Sequence, residues 1–152
     1  MAMQSTGSAH PVLSYTDGIA VGMGDAMLLV GRILVASVFV LTAWGGSPNV
    51  GYLTSLGYPS PAIWSWVAIT AEWVIGFTLV FGVATRYGVL LALLYVIIAT
   101  ATAHRYWQFP QAQQVVQYIF AAKNLAILGG LLVLFVTGAG RFSVDGMASG
   151  KR

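Results

Sequence analysis

Glu72 and Lys123 are charged side chains set inside long apolar stretches. A charge at the centre of a membrane span costs at least about 2.5 kcal/mol on insertion scales, so each one asks for a reason. Opposite charges in a low-dielectric place either pair or neutralise. Glu72 lies ten residues into the stretch that begins at Ala62. Lys123 lies eight residues into the one that begins at Val115. At the rise of an α-helix the two sit about 15 Å and about 12 Å deep, measured from the same side. A Glu72–Lys123 pair is therefore geometrically possible. Asn124 adds an amide beside the lysine, and Trp73 an aromatic ring beside the carboxylate. Such a set can bind a quinone headgroup and move its protons. It can equally do no more than lock two helices together.

His104 closes the third apolar stretch, with Arg105, Tyr106 and Trp107 following. Histidine is the side chain suited to relaying protons near neutrality, here towards Glu72, although a lone interfacial histidine is often just an interface residue. The candidates for chemistry are thus Glu72, Lys123 and His104. No metal site is expected, because no metal-ligand spacing is present. Bis-histidine haem is not expected either: the only other histidine is His10, placed in a tail on the opposite side. With no cysteine there are no disulfides and no iron–sulfur ligation.

A second polar group gathers at the other end of the apolar stretches. Asp25 and Arg32 are seven residues apart and share a helix face. The simplest reading is a snorkelling arginine with a local counter-ion. In Gly138-Ala-Gly-Arg-Phe-Ser-Val-Asp145, two glycines end the last stretch and Arg141 sits at the interface. Ser143 and Asp145 are then free to cap a helix or to pair with Arg32, Arg86 or Arg141. A plain helix stop needs the glycine and the arginine, not the Ser-x-Asp that follows.

The elements that position these residues follow from composition. Of 152 residues, 58% are hydrophobic and 7% charged, where a soluble domain carries about 25% charged residues. Such a chain cannot build a water-facing surface. Four segments of about 20 apolar residues, enough to cross a bilayer, run over 26–44, 62–84, 87–104 and 115–137. The expected fold is an all-α, integral membrane four-helix bundle. Residues 1–25 form a Gly- and Ser-rich tail, flexible or interfacial, and 138–152 a polar tail. No basic n-region precedes the first apolar segment, so it is expected to stay in the membrane. The segment 45–61 carries Gly-Gly, Ser-Pro-Asn and Pro-Ser-Pro and reads as a loop. Thr85-Arg86 makes a tight hairpin, and 105–114 a longer loop.

Helix faces agree with the pairing. Ser65, Ala68, Glu72 and Gly76 form one stripe, whose small residues admit a neighbouring backbone. Lys123 shares its stripe with Ile127, Gly130 and Leu134. Basic residues outside the spans favour one side: Arg86, Arg141, Lys151 and Arg152, with Arg32 close by, against Arg105 alone. That side, with both termini, is expected to be cytoplasmic. Trp44, Tyr52, Trp64, Trp66, Tyr106 and Trp107 mark the outer interface. The basic residues are scattered, so the net charge of +3 does not point to nucleic acid.

In order along the chain, these residues resemble the DoxX family of small four-helix bacterial membrane proteins. The resemblance rests on Gly31-Arg32 with Phe39, on Gly57-Tyr-Pro59-Ser-Pro61, and on Glu72 followed by Gly76, Leu79, Gly82 and Thr85-Arg86. It continues through His104, Lys123-Asn124-Leu125 and Gly129-Gly130 to Gly138–Asp145, close to a terminal Gly-x-Gly-Arg-Tyr-Ser-x-Asp. One departure is the lysine the family often carries after the first span: here the sequence reads Trp44-Gly-Gly-Ser-Pro-Asn49. The resemblance implies a bacterial inner-membrane protein linked to redox complexes, the family being named for a subunit associated with thiosulfate:quinone oxidation. It carries over no catalytic residue.

Three functions remain open on the sequence. The first is an accessory or quinone-interacting subunit of a membrane redox complex, with quinone bound near Glu72, Lys123, Asn124 and Trp73. The second is a structural or assembly subunit without chemistry. The third is a small oligomeric transporter or proton conductor. Expected partners are the lipid bilayer and other membrane or redox subunits, or further copies of the chain.

Overall fold

In the computed structural model, residues 11–45 and 49–150 are described. His10, Lys151, Arg152 and residues 46–48 lie outside them. Seven α-helices and one 3₁₀ turn follow in order: α1 Pro11–Gly22, α2 Gly24–Gly45, α3 Val50–Ser55, α4 Pro61–Phe81, α5 Thr85–Ala103, the 3₁₀ turn Tyr106–Gln108, α6 Gln111–Thr137 and α7 Val144–Ala148. No strand occurs among the described residues.

Helices α2, α4, α5 and α6 are the membrane spans, each long and apolar enough to cross a bilayer. Each is apolar on nearly every face, as lipid demands of a span whose backbone must satisfy itself. They pack in a ring, α2 on α4, α4 on α5, α5 on α6 and α6 back on α2. The axis is filled by Ala36, Phe39, Ile75, Leu79, Val89 and Leu131, all buried. Small residues let the helices close up. A methyl on Gly76 would lie 2.7 Å from Val40 Cγ2, and one on Gly88 would collide with the Thr78 hydroxyl.

Boundaries differ from the sequence expectation where local chemistry overrides hydropathy. Helix α4 stops at Phe81, because Gly82 and Ala84 turn left-handed (φ 64° and 47°) and reverse the chain into α5. Helix α6 starts at Gln111, directly after Pro110, so polar glutamines extend the span and the loop before it shortens to one 3₁₀ turn. The predicted loop over 45–61 contains α3, with Asn49 Oδ1 accepting from Tyr52 N at 3.3 Å. The tail predicted to be flexible or interfacial is helical over Pro11–Gly22, with Tyr15 and Val21 exposed.

The C-terminal segment is not a loose polar tail. It folds back as a plug across the bundle, which defines an α7 end opposite the α3 end. Arg32 lies at its centre and is only 2% exposed. Its guanidinium donates to the carbonyls of Ala139, Phe142 (2.7 Å) and Val80 (3.4 Å). The expectation of a snorkelling arginine paired with Asp25 is therefore corrected. Arg32 faces inward across α4 and the plug, and Asp25 binds Arg141 instead. Asp25 Oδ1 accepts from Arg141 N at 2.8 Å, and the side chains approach to 3.9 Å.

Asp145 caps α5. Its carboxylate accepts from Ala84 N and Thr85 N, both at 2.8 Å, at the start of α5, where unpaired N–H groups and the helix dipole favour an anion. Burial pushes this carboxyl up, but the N–H groups of Thr85 and Ala84 and the Arg32 charge outweigh it. The net result is a group held below its ordinary value. Ser143 caps α7 itself, accepting from Gly146 N at 2.9 Å. Arg86 donates to Phe135 O at 3.2 Å, tying α5 to α6. Gly82 is required twice over: its φ is positive, and a methyl there would strike Ser143 and the Arg32 guanidinium.

Candidate functional site

Towards the α3 end the ring of helices does not close completely. A cavity of about 100 Å³ is lined by Thr42, Glu72, Tyr95, His104, Lys123 and Asn124, over a wall that includes Phe39 and Val96. Each spanning helix contributes. Glu72 comes from α4 and stands eleven residues from its start, about 16 Å down at the rise of a helix. Lys123 is twelve residues into α6, about 18 Å down by the same measure. The two are at similar depth, as the sequence implied.

They do not form an ion pair. Among the described residues the one pair within 4.0 Å is Asp25–Arg141. Glu72 Oε1 instead accepts from the Tyr95 hydroxyl at 2.7 Å, and Tyr95 is braced edge-on against Phe39. The reason is helical phase. Successive residues point about 100° apart, and on α6 the inward position belongs to Asn124, which is 7% exposed. Lys123 is exposed at the cavity mouth, its ammonium 4.7 Å from the centroid of the Phe120 ring. That cation–π contact gives the charge a partner that is not a carboxylate.

Asn124 Nδ2 donates to Thr100 Oγ1 at 2.9 Å, joining α6 to α5. His104 terminates α5 and lines the cavity. Its Nδ1 lies 2.9 Å from Gln117 Oε1, and its ring packs against Phe120 at 5.3 Å. Gln117 is 8% exposed and lies beside the Tyr52 phenol, which itself donates to Ala103 O. Tyr52, expected in the outer aromatic rim, is thus turned inward. Trp44, Trp64, Trp66 and Trp107 remain exposed. Trp73 takes no part in the cavity, one residue away from Glu72 being a different helix face. It stacks on Phe77 at 5.6 Å and meets Trp44 at 6.2 Å.

Comparison with known proteins agrees with this architecture. The DoxX family model matches residues 27–105, more than half of the chain. The chain belongs to the DoxX family. It is 30% identical over 123 residues to the inner membrane protein YphA of Escherichia coli strain K12, covering 78% of this chain and 88% of that protein. With the inner membrane protein YqjF of the same organism it shares 29% identity over 131 residues, 84% of this chain and 95% of that one. No solved structure matches. Four spans and inner-membrane relatives make it a multi-pass inner membrane protein.

The DoxX match contains Glu72, Tyr95 and His104, and ends before Lys123, Asn124 and the Gly138–Asp145 plug. Tyr95, Gln117 and Thr100 were not singled out in the sequence, and Tyr52 was assigned only to the outer rim, although the structure puts all four in or beside the site. Tyr95 and Thr100 carried a usable signal. A carboxylate buried in a span needs a hydrogen-bond donor, and few polar side chains lie at the depth of Glu72.

Proposed function

We propose that this DoxX protein is the quinone-interacting, accessory subunit of a membrane redox complex. The observation that carries the reading is the convergence of a carboxylate, a phenol, an imidazole, an ammonium and an amide on one cavity within the membrane. Groups of this kind bind carbonyl oxygens and exchange protons. At about 100 Å³ the cavity is smaller than the roughly 300 Å³ or more that encloses a whole ligand. The quinone ring therefore sits at the lipid-facing mouth beside Lys123, and one carbonyl edge enters. Lys123 or Asn124 binds that oxygen, and Glu72 takes or returns its proton. Electrons pass to or from a partner subunit, since this chain has no cysteine for an iron–sulfur carrier.

Orientation belongs to the same proposal. Arg86, Arg141, Lys151 and Arg152 lie in or beyond the α7-end segments, and Arg105 alone at the other, so the α7 end and both termini face the cytoplasm. The test is purification in mild detergent with the native lipid. Wild type is expected to retain quinone, and Glu72→Gln to lose it together with quinone-linked turnover. Absence of bound quinone, with turnover unchanged in Glu72→Gln, would overturn the reading. Cavity size favours a second reading, a proton conductor, because about 100 Å³ holds about three waters. Proton flux in proteoliposomes that is unchanged by Glu72→Ala would remove it.

A further inference from the structure

We propose that the Glu72 cavity exchanges protons with one side of the membrane only, the α3 end, by way of His104. This rests on the reading of Glu72 as a protonatable site and adds a direction to it.

The hydrogen bonds fix how His104 is held. Tyr52 donates its hydroxyl proton to Ala103 O, and the Gln117 side chain lies beside its oxygen. The Gln117 atom facing His104 is the amide oxygen, which can only accept. Nδ1 of His104 therefore carries the proton of the 2.9 Å bond, and in the neutral ring Nε2 is bare. The ring lines the cavity, so Nε2 is the atom available to a proton from Glu72 or its water. A proton taken at Nε2 and one released from Nδ1, when the Gln117 bond opens to water beyond Tyr52, leaves the imidazole neutral again. Gln117 and Tyr52 are positioning residues in this scheme. The other charged or titratable groups around the path are Tyr95 from α5, Lys123 from α6, Tyr58 ahead of α4 and Arg105 beside the 3₁₀ turn.

Nothing comparable leads the other way. Below the cavity Ala36, Leu79, Val89 and Leu131, one from each span, are each 0% exposed. These four side chains offer no group to hold a water, and the Thr78 hydroxyl at the same depth donates to Ile75 O at 2.9 Å. Beyond this apolar layer the terminal nitrogens of Arg32 donate to carbonyls of the plug.

Accessibility of a small cation tests the direction without any quinone. The chain contains no cysteine, so Ala99→Cys, on the cavity wall, gives a single thiol. Thr42→Cys gives a second, on another helix, in case the first folds poorly. Val89→Cys marks the apolar layer. Full-length variants are reconstituted in vesicles of determined orientation, and silver ion is added to one side. Free thiol is then counted after denaturation. Silver from the α3 end should block positions 42 and 99 at least tenfold faster than silver from the α7 end, and position 89 from neither. Equal access from both sides, faster access from the α7 end, or no access at either cavity position would overturn the proposal. Loss of bound quinone leaves this result untouched, so the two readings fail separately. In the assembled complex, Gln117→Leu should shift the pH profile of turnover and lower it about tenfold or more, with quinone content unchanged. Loss of quinone in that variant would assign Gln117 to binding rather than to positioning.

Discussion

The two ends of the bundle use charge in opposite ways. At the α7 end Arg32 and Asp145 are matched by partners from other elements: three carbonyls for the guanidinium, two N–H groups for the carboxylate. The space around them is full, so that Gly82 and Gly146 have no room for a methyl group. At the α3 end Glu72 accepts from Tyr95, has the Thr42 hydroxyl beside it, and lines a cavity with Lys123 at the mouth. A charge bonded to the backbone of its own chain from several elements holds the fold together. A charge facing a cavity keeps capacity for a proton or a guest. The comparison separates architecture from function inside one small protein.

It breaks first at Arg32. Arg32→Met leaves carbonyls of the plug and of α4 unpaired in a place without water, and should cost about 3 kcal/mol or more. Thermal unfolding in detergent reads this as a large drop in midpoint or as loss of folded protein. An unchanged midpoint would mean that the α7 end is not structural. Gly146→Ala comes next. Its methyl would meet the backbone oxygens of Gly140 and Arg141, which cannot swing aside as a side chain can. A cost of about 1–3 kcal/mol is expected in the same assay.

Asp145→Asn should cost about 1 kcal/mol, as loss of a helix cap does, and should also change the pH dependence. The Asp145 carboxyl is held below its ordinary value of 3.8. Its contribution is present above that value and fades as pH falls through the lower, folded one. Wild type should therefore lose stability relative to Asp145→Asn below about pH 4, a gap visible in midpoints measured from pH 6 downwards. Smallest in stability are Glu72→Gln and Lys123→Met, expected to shift the midpoint by about 0.5 kcal/mol or less. Both should nevertheless reduce retained quinone. A large destabilisation by Glu72→Gln would move Glu72 into the architectural class.

Much of the fold was legible because each span must be apolar along its whole length, and hydropathy reports that directly. The ends of α4 and α6 were not, since they depend on left-handed Gly82 and Ala84 and on Pro110. Glu72, Asn124 and His104 stood out as polar groups at the edge of or within apolar sequence. Their partners did not. Tyr95 reads as one more ring in an apolar span, and Gln117 as one glutamine among several at the head of α6. The expected Glu72–Lys123 ion pair failed on phase: depth can be counted from sequence, but a one-residue rotation of α6 decides whether Lys123 or Asn124 points inward. The Gly138–Asp145 segment was visible as more than a helix stop. That it folds back onto Arg32 follows only from tertiary contact.

The most direct test of the contrast is quinone content per chain in wild type, Glu72→Gln and Asp145→Asn, each purified in mild detergent and normalised to folded protein. Quinone present in wild type, retained in Asp145→Asn and lost in Glu72→Gln is the predicted pattern. Equal quinone in all three, or none in wild type, would contradict the assignment of the α3-end cavity as the functional site.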